Sequence, residues 1–216
     1  MYLLGLDAPM GTGKTLGMSL LAQYFRQLSG CSLYSNYGLA HSTLFTSFDQ
    51  FLEVAQQPSS IICLDEVHTD LDSRSGLTNT SKYLTHMLYY LRKIRATIFY
   101  ATPDISAVDS RVRSVTNVYC RVRKSKKKFY YDMYDIQSVR FLRTLMIDKD
   151  KVFKIADQIY DTHKMVVPME FPERKEEYIR LINMLKDISD EYYALGDKRA
   201  AATAAEVVAG MEVAHE

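Results

Sequence analysis

Apolar residues along this chain recur in two rhythms, and the switching between them predicts alternating strands and helices. Residues 2–8 form a short apolar run ending at Pro9 and Gly11, as a buried strand does on entering a glycine turn. Over 14–28, Leu16, Leu20, Leu21, Tyr24, Phe25 and Leu28 recur at helical spacing, with Gly30 as the stop. Residues 32–37 read as a second strand, and 47–56 as a helix capped by Ser47 and closed before Pro58. Ile61, Ile62, Cys63 and Leu64 are apolar in succession, the pattern of a strand covered on both faces in a parallel sheet. Residues 70–81 are polar and loop-like. Leu84, Met87, Leu88 and Leu91 then place a helix over 82–94, and 96–101 form another buried strand that ends at Thr102 and Pro103. Strands alternating with helices imply βαβ units, hence an α/β fold on a mainly parallel sheet flanked by helices.

Past residue 115 the texture changes. Val118 to Arg123 alternates, as does Phe129 to Ile136, with Lys124, Ser125, Lys126, Lys127 and Lys128 between them: an antiparallel β-hairpin over 117–136 with a basic tip. Residues 173–195 carry an amphipathic helical pattern of mixed charge. From Gly196 to Glu216 the chain is rich in Ala, Glu and Val and has no clear partner face. The expected organisation is a core over 1–136 that includes the hairpin, a helical appendage over 137–195, and a frayed tail over 196–216.

Composition narrows the class. At 216 residues the chain fits one α/β domain with a small appendage. A hydrophobic share of 47% and a charged share of 25% are ordinary for a globular protein, and a net charge of +1 carries no global attraction to nucleic acid or membrane. Three widely spaced cysteines, Cys31, Cys63 and Cys120, fit a reduced cytosolic chain better than a disulfide scaffold or a zinc site. The N-terminus has no basic region before its apolar run, so no signal peptide is expected, and no stretch is long and uncharged enough for a membrane span.

The chemistry begins at the first turn. Residues 8–15 read Ala-Pro-Met-Gly-Thr-Gly-Lys-Thr, the phosphate-binding pattern GxxxxGK[ST] with Ala8 in place of its first glycine. Strand, glycine loop and helix follow in the order that such a loop needs. Gly11 and Gly13 let the backbone wrap closely with its N–H groups inward, and the helix that follows aims its positive end at an anion. Lys14 offers a cation to the β- and γ-phosphates and Thr15 a hydroxyl to magnesium, so ATP and Mg²⁺ are the expected ligands, held by Met10, Gly11, Thr12, Gly13, Lys14, Thr15 and Leu16. Asp65 and Glu66 close an apolar strand about fifty residues later. A carboxylate at that strand end faces the crevice where open α/β sheets bind ligands. Asp65 is the expected magnesium ligand, and Glu66 the base that polarises the attacking water. His68, just beyond, reads as a structural or substrate-sensing contact.

The phosphate loop, Leu64-Asp65-Glu66-Val67-His68, Leu91-Arg92-Lys93-Ile94-Arg95, Ile98-Phe99-Tyr100-Ala101-Thr102 and Val108-Asp109-Ser110-Arg111-Val112-Arg113 occur in one order. In this the chain resembles the zonula-occludens-toxin-like ATPases of phages, within the larger FtsK/HerA group of DNA pumps and viral genome-packaging ATPases. The resemblance covers about residues 1–136. It implies an additional-strand, RecA/FtsK-like P-loop fold and a homo-oligomeric ring whose arginine finger comes from the neighbouring subunit. Arg92, Arg95, Arg111 and Arg113 are the candidates, with Arg111 and Arg113 favoured because they alternate on what reads as a short strand. Where the group often carries a γ-phosphate-sensing glutamine, this chain has Thr102 as its candidate sensor. The filamentous-phage assembly members carry a membrane segment that this chain lacks, which favours packaging over assembly.

From Arg111 to Lys128 there are eight basic residues and no acidic one. Of these, Arg121, Arg123, Lys124, Lys126, Lys127 and Lys128 belong to the hairpin and are the candidate DNA contacts, suited to tracking phosphates without reading sequence. The function expected is an ATP-hydrolysing motor of viral or phage genome packaging or DNA translocation. It would work in the host cytoplasm and in association with the virion, beside a viral capsid or membrane protein partner. A virion assembly or export ATPase, or a P-loop small-molecule kinase, are the alternatives.

Overall fold

The computed structural model describes residues 2–66 and 79–212, with the backbone alone described at 79–81 and 197–212. Ten strands and seven α-helices occur among these residues. In chain order they are β1 (Leu3–Asp7), α1 (Lys14–Ser29), β2 (Ser32–Ser35), β3 (Gly38–Leu39), β4 (Ser42–Leu44), α2 (Phe51–Gln56), β5 (Ser60–Leu64), α3 (Asn79–Leu88), β6 (Ala96–Thr102), α4 (Ser110–Val115), β7 (Val118–Lys124), β8 (Lys128–Asp135), β9 (Arg140–Asp148), α5 (Lys149–Val152), α6 (Ala156–Ile159), β10 (Tyr160–Asp161) and α7 (Lys175–Glu212).

Eight strands make one sheet in the order β4-β2-β5-β6-β1-β7-β8-β9. From β4 to β7 the pairing is parallel, and β8 and β9 add antiparallel strands at one edge. β6 lies between β1, which leads into the glycine loop, and β5, which ends at Asp65. This inserted strand is the additional-strand arrangement that the family resemblance implied. The apolar strands of the sequence are thus central, and alternate side chains feed two cores. Leu3, Ile62, Ile98 and Tyr100 pack with residues of α2, α3 and α7 on one face, while Leu4, Leu6, Cys63 and Phe99 pack with α1 on the other. All three cysteines are buried and free.

Three expectations change. Arg140–Asp148 is a strand, not part of a helical appendage: it pairs along β8 and leaves most of its side chains exposed or half-exposed, so its apolar alternation is weak. Arg111 and Arg113 lie on a helix, α4, whose N-cap is Asp109: its carboxylate accepts the Arg111 N–H. The period-two argument for their facing one way therefore fails. The helix expected over 82–94 starts earlier and stops at Leu88, and Tyr89–Arg95 are turns. The rest of the loop expected over 70–81 lies outside the described residues, as does His68. At the far end, α7 continues past Gly196 to Glu212.

α7 is fastened to the core by Tyr178, Ile182 and Leu185, which are buried, and by Arg95. That guanidinium lies 3.3 Å from the ring centre of Tyr192 and donates to the carbonyls of Ala55, Gln57 and Lys93. Arg95, one of the four finger candidates, is here a clamp between α2 and α7.

Candidate active site

Gly13 caps α1 in the left-handed conformation, φ 93°, and Gly11 is also left-handed at φ 69°. Glycine adopts these angles at little cost, and they turn the loop so that α1 starts at Lys14. A pocket of about 190 Å³ opens there, lined by Met10, Gly11, Lys14, Thr15, Asp65, Glu66, Ala101 and Pro103. β1 and β5 thus deliver the loop and the acidic pair to one place across β6.

Within the pocket the groups expected to act together do meet. Lys14 Nζ donates to the carbonyls of Ala8 at 2.6 Å and Pro9 at 3.2 Å. Burial lowers the pKa of this ammonium, and Asp65, Asp7 and Glu66 oppose that shift. The Thr15 hydroxyl donates to Asp65 Oδ2 at 2.7 Å, which sets the two expected metal ligands side by side. Burial raises the Asp65 pKa, while bonds from Thr15 Oγ1 and the Glu66 N–H to its carboxylate pull the other way. A cation in that gap would replace the Thr15 proton as the partner of the carboxylate. Among the described residues there is no cluster of three or more His, Cys, Asp or Glu that could cage a metal.

Sequence reading missed Asn36. It is buried at the end of β2 and grips Asp65 through both backbone groups: its Oδ1 accepts the Asp65 N–H at 2.8 Å and its Nδ2 donates to the Asp65 carbonyl at 3.1 Å. β2 reads Ser-Leu-Tyr-Ser, so one more polar residue after it gave no distinguishing signal. Glu66 follows in the left-handed region, φ 52°, with its side chain exposed at the mouth of the pocket.

Other expected site residues lie elsewhere. Thr102 is fully buried, and its hydroxyl donates to the Asp104 carbonyl, so it shapes the turn after β6 and does not line the pocket. Met10 and Thr12 lie on the loop and Leu16 is buried in α1. Arg111 is bonded through Nε and Nη2 to Asp109, at 3.0 and 2.6 Å. Arg113 is half-buried, with its Nε buried and unbonded. Arg92 is exposed. None of these arginines lines the pocket of its own chain.

The basic hairpin is not remote from the loop. Lys124 Nζ donates to the Gly11 carbonyl at 2.8 Å. Arg123 is held by Asp132, and Lys128 lies 3.7 Å from Asp148. Arg121, Lys126 and Lys127 are exposed and form no ion pair with the described residues.

Comparison with known proteins agrees with this geometry. Residues 3–123 match the family model described as ATPase family associated with various cellular activities (AAA). No curated protein matches the chain in sequence. Among solved structures, the N-terminal domain of zonular occludens toxin from Neisseria meningitidis is similar with a TM-score of 0.55 at 15% identity, covering 74% of this chain and 98% of that one. Genome packaging NTPase B204 from Sulfolobus turreted icosahedral virus 2, in complex with AMPPCP, gives 0.49 at 10%, covering 66% and 96%. Flagellar accessory protein FlaH from Methanocaldococcus jannaschii gives 0.44 at 12%, covering 67% and 84%. At these identities the first likeness speaks to fold. The family match spans more than half of the chain and takes in both the glycine loop and the acidic pair; the protein belongs to the ATPase family associated with various cellular activities and is an ATP-binding P-loop ATPase.

Proposed function

We propose that the protein is an ATP-driven motor that moves DNA, in viral or phage genome packaging or translocation, and works as a homo-oligomeric ring. Gly11, Thr12, Gly13 and Lys14 cradle the phosphates, Thr15 and Asp65 hold magnesium, and Glu66 takes the proton of the attacking water. Because Arg111 and Arg113 lie off the pocket of their own chain, either serves as a finger only for a neighbouring subunit. Arg113 is the better candidate, since Arg111 is tied to Asp109.

The observation that carries the DNA reading is the exposed, unpaired tip of the hairpin, Lys126 and Lys127, set beside the phosphate loop by the Lys124–Gly11 bond. Phosphates of a polyanion meet cations there without any base being read. Replacing Lys126 and Lys127 with alanine is expected to weaken duplex DNA binding equally for all sequences. The slope of log affinity against log salt should flatten by about two, at roughly 0.9 per lost phosphate contact. The checks are a salt titration of DNA binding, ATPase rates with and without duplex, and molecular mass in solution with ATP. Absence of DNA affinity at low salt would remove the motor reading.

A second reading, virion assembly or export beside a membrane protein, draws on the pairing of Arg123 with Asp132 and Lys128 with Asp148, which lowers the charge the hairpin offers to DNA. No helix among the described residues is long and apolar enough to cross a membrane, so that role would need a partner. A stable complex with a membrane protein, without any stimulation by DNA, would favour it.

A further inference from the structure

The β7–β8 hairpin touches the glycine loop at three points. Lys124 Nζ donates to the Gly11 carbonyl at 2.8 Å, and Tyr131 Oη donates to the Gly13 carbonyl at 3.0 Å. Phe129 covers Gly13 so closely that a Cβ there would lie 2.8 Å from its ring, and a Cβ on Gly17 would lie 2.0 Å from the Tyr131 ring. Phe129 and Tyr131 are buried. These residues stand more than a hundred positions from the loop in sequence, and the parallel pairing of β1 with β7 brings them to it.

A trans peptide unit is planar, so its C=O and the following N–H point in opposite directions, and the described chain has no cis peptide bonds. Holding the Gly11 carbonyl fixes the direction of the Thr12 N–H. Holding the Gly13 carbonyl fixes that of the Lys14 N–H. Both carbonyls are held from the hairpin side, so both N–H groups are turned away from the hairpin. We infer that Lys124 and Tyr131 are positioning residues for ATP: they act through the two carbonyls to pre-aim two backbone donors of the phosphate loop. Without them the loop must order its peptides when the anion arrives, and affinity falls by the cost of that ordering. The Gly13 carbonyl also accepts the first helical bond from the Gly17 N–H at 3.0 Å, so the Tyr131 hydroxyl is a second donor on an oxygen that α1 already engages.

The inference rests on the phosphate-site reading above, and the test separates the two. Tyr131→Phe keeps the ring against Gly17 and removes the hydroxyl. Lys124→Met keeps the stem and removes the donor. Each is expected to raise the KM for ATP and the Kd for ADP about three- to tenfold, the size of one net hydrogen bond. The kcat should stay within about twofold, because ground-state and transition-state phosphates share these donors. Lys124→Arg should recover most of the affinity. Lys186→Met, an exposed charge on α7, which packs on the face of the sheet opposite α1, serves as the charge control. Wild-type KM in both hairpin variants, with a lowered melting temperature of the nucleotide-free protein, would show a merely structural role and overturn the inference. An equal rise in KM for Lys186→Met would overturn it too, by showing a general charge effect. If Lys14→Ala binds nucleotide as the wild type does, the phosphate-site reading fails and takes the inference with it. If Lys14→Ala loses binding while both hairpin variants keep it, the inference alone fails.

Discussion

Lys14→Ala is expected to cut ATP turnover by a hundredfold or more. Among the described residues the ammonium is the one side-chain cation lining the pocket, and it is half-buried and aimed by the Ala8 and Pro9 carbonyls. A preorganised charge in a water-poor site stabilises developing negative charge far better than a solvated one, and removing such a contact commonly costs two to three orders of magnitude. Glu66 and Asp65 would remain, so the empty pocket becomes more anionic and binding should weaken as well. Steady-state ATPase rates with a fluorescent-nucleotide titration would check both effects. Retention of more than about a tenth of wild-type turnover would place the phosphate contact elsewhere.

Glu66→Gln is expected to separate binding from hydrolysis. The amide keeps the shape and hydrogen bonding of the carboxylate but cannot accept a proton from water, and general-base catalysis is typically worth 10²–10⁴ in rate. The bond from the Thr15 hydroxyl to Asp65 and the bond from the Glu66 N–H to the Asp65 carboxylate use no atom of the Glu66 side chain. ATP should therefore bind with near-normal affinity and remain intact. If a ring forms, it should persist in this variant with ATP and fall apart less readily than in the wild type. Normal hydrolysis would move the base to another residue and revive the small-molecule kinase alternative, in which a substrate hydroxyl replaces the water.

What the sequence made legible follows from how each signal is carried. β1, β5 and β6 show as apolar runs because helices cover both of their faces. The glycine loop shows because its chemistry is local: eight consecutive residues contain the backbone turn, the cation and the hydroxyl. β9 escaped because an edge strand with exposed residues has neither a continuous run nor a clean alternation. α4 was misread because six residues are too short to show a helical period; the usable signal was Asp109, an N-cap residue immediately before the arginines. The clamp of Arg95 on Tyr192 and the bond of Lys124 to Gly11 were invisible for another reason. Each joins residues about a hundred positions apart, and only the folded sheet brings them together.

The backbone of Glu66 leads in a different direction. A non-glycine residue at φ 52° is held in a conformation that costs on the order of 1–2 kcal/mol, here sustained by the double grip of Asn36 on Asp65 and by the bond from the Glu66 N–H to the Asp65 carboxylate. Glu66→Gly would relieve that strain and is expected to raise the melting temperature by a few degrees, measurable by calorimetry of the nucleotide-free protein, while hydrolysis is lost. A screen of random variants for thermal resistance alone would therefore enrich changes at this position. Selection for durability and selection for turnover would then pull this single residue in opposite directions.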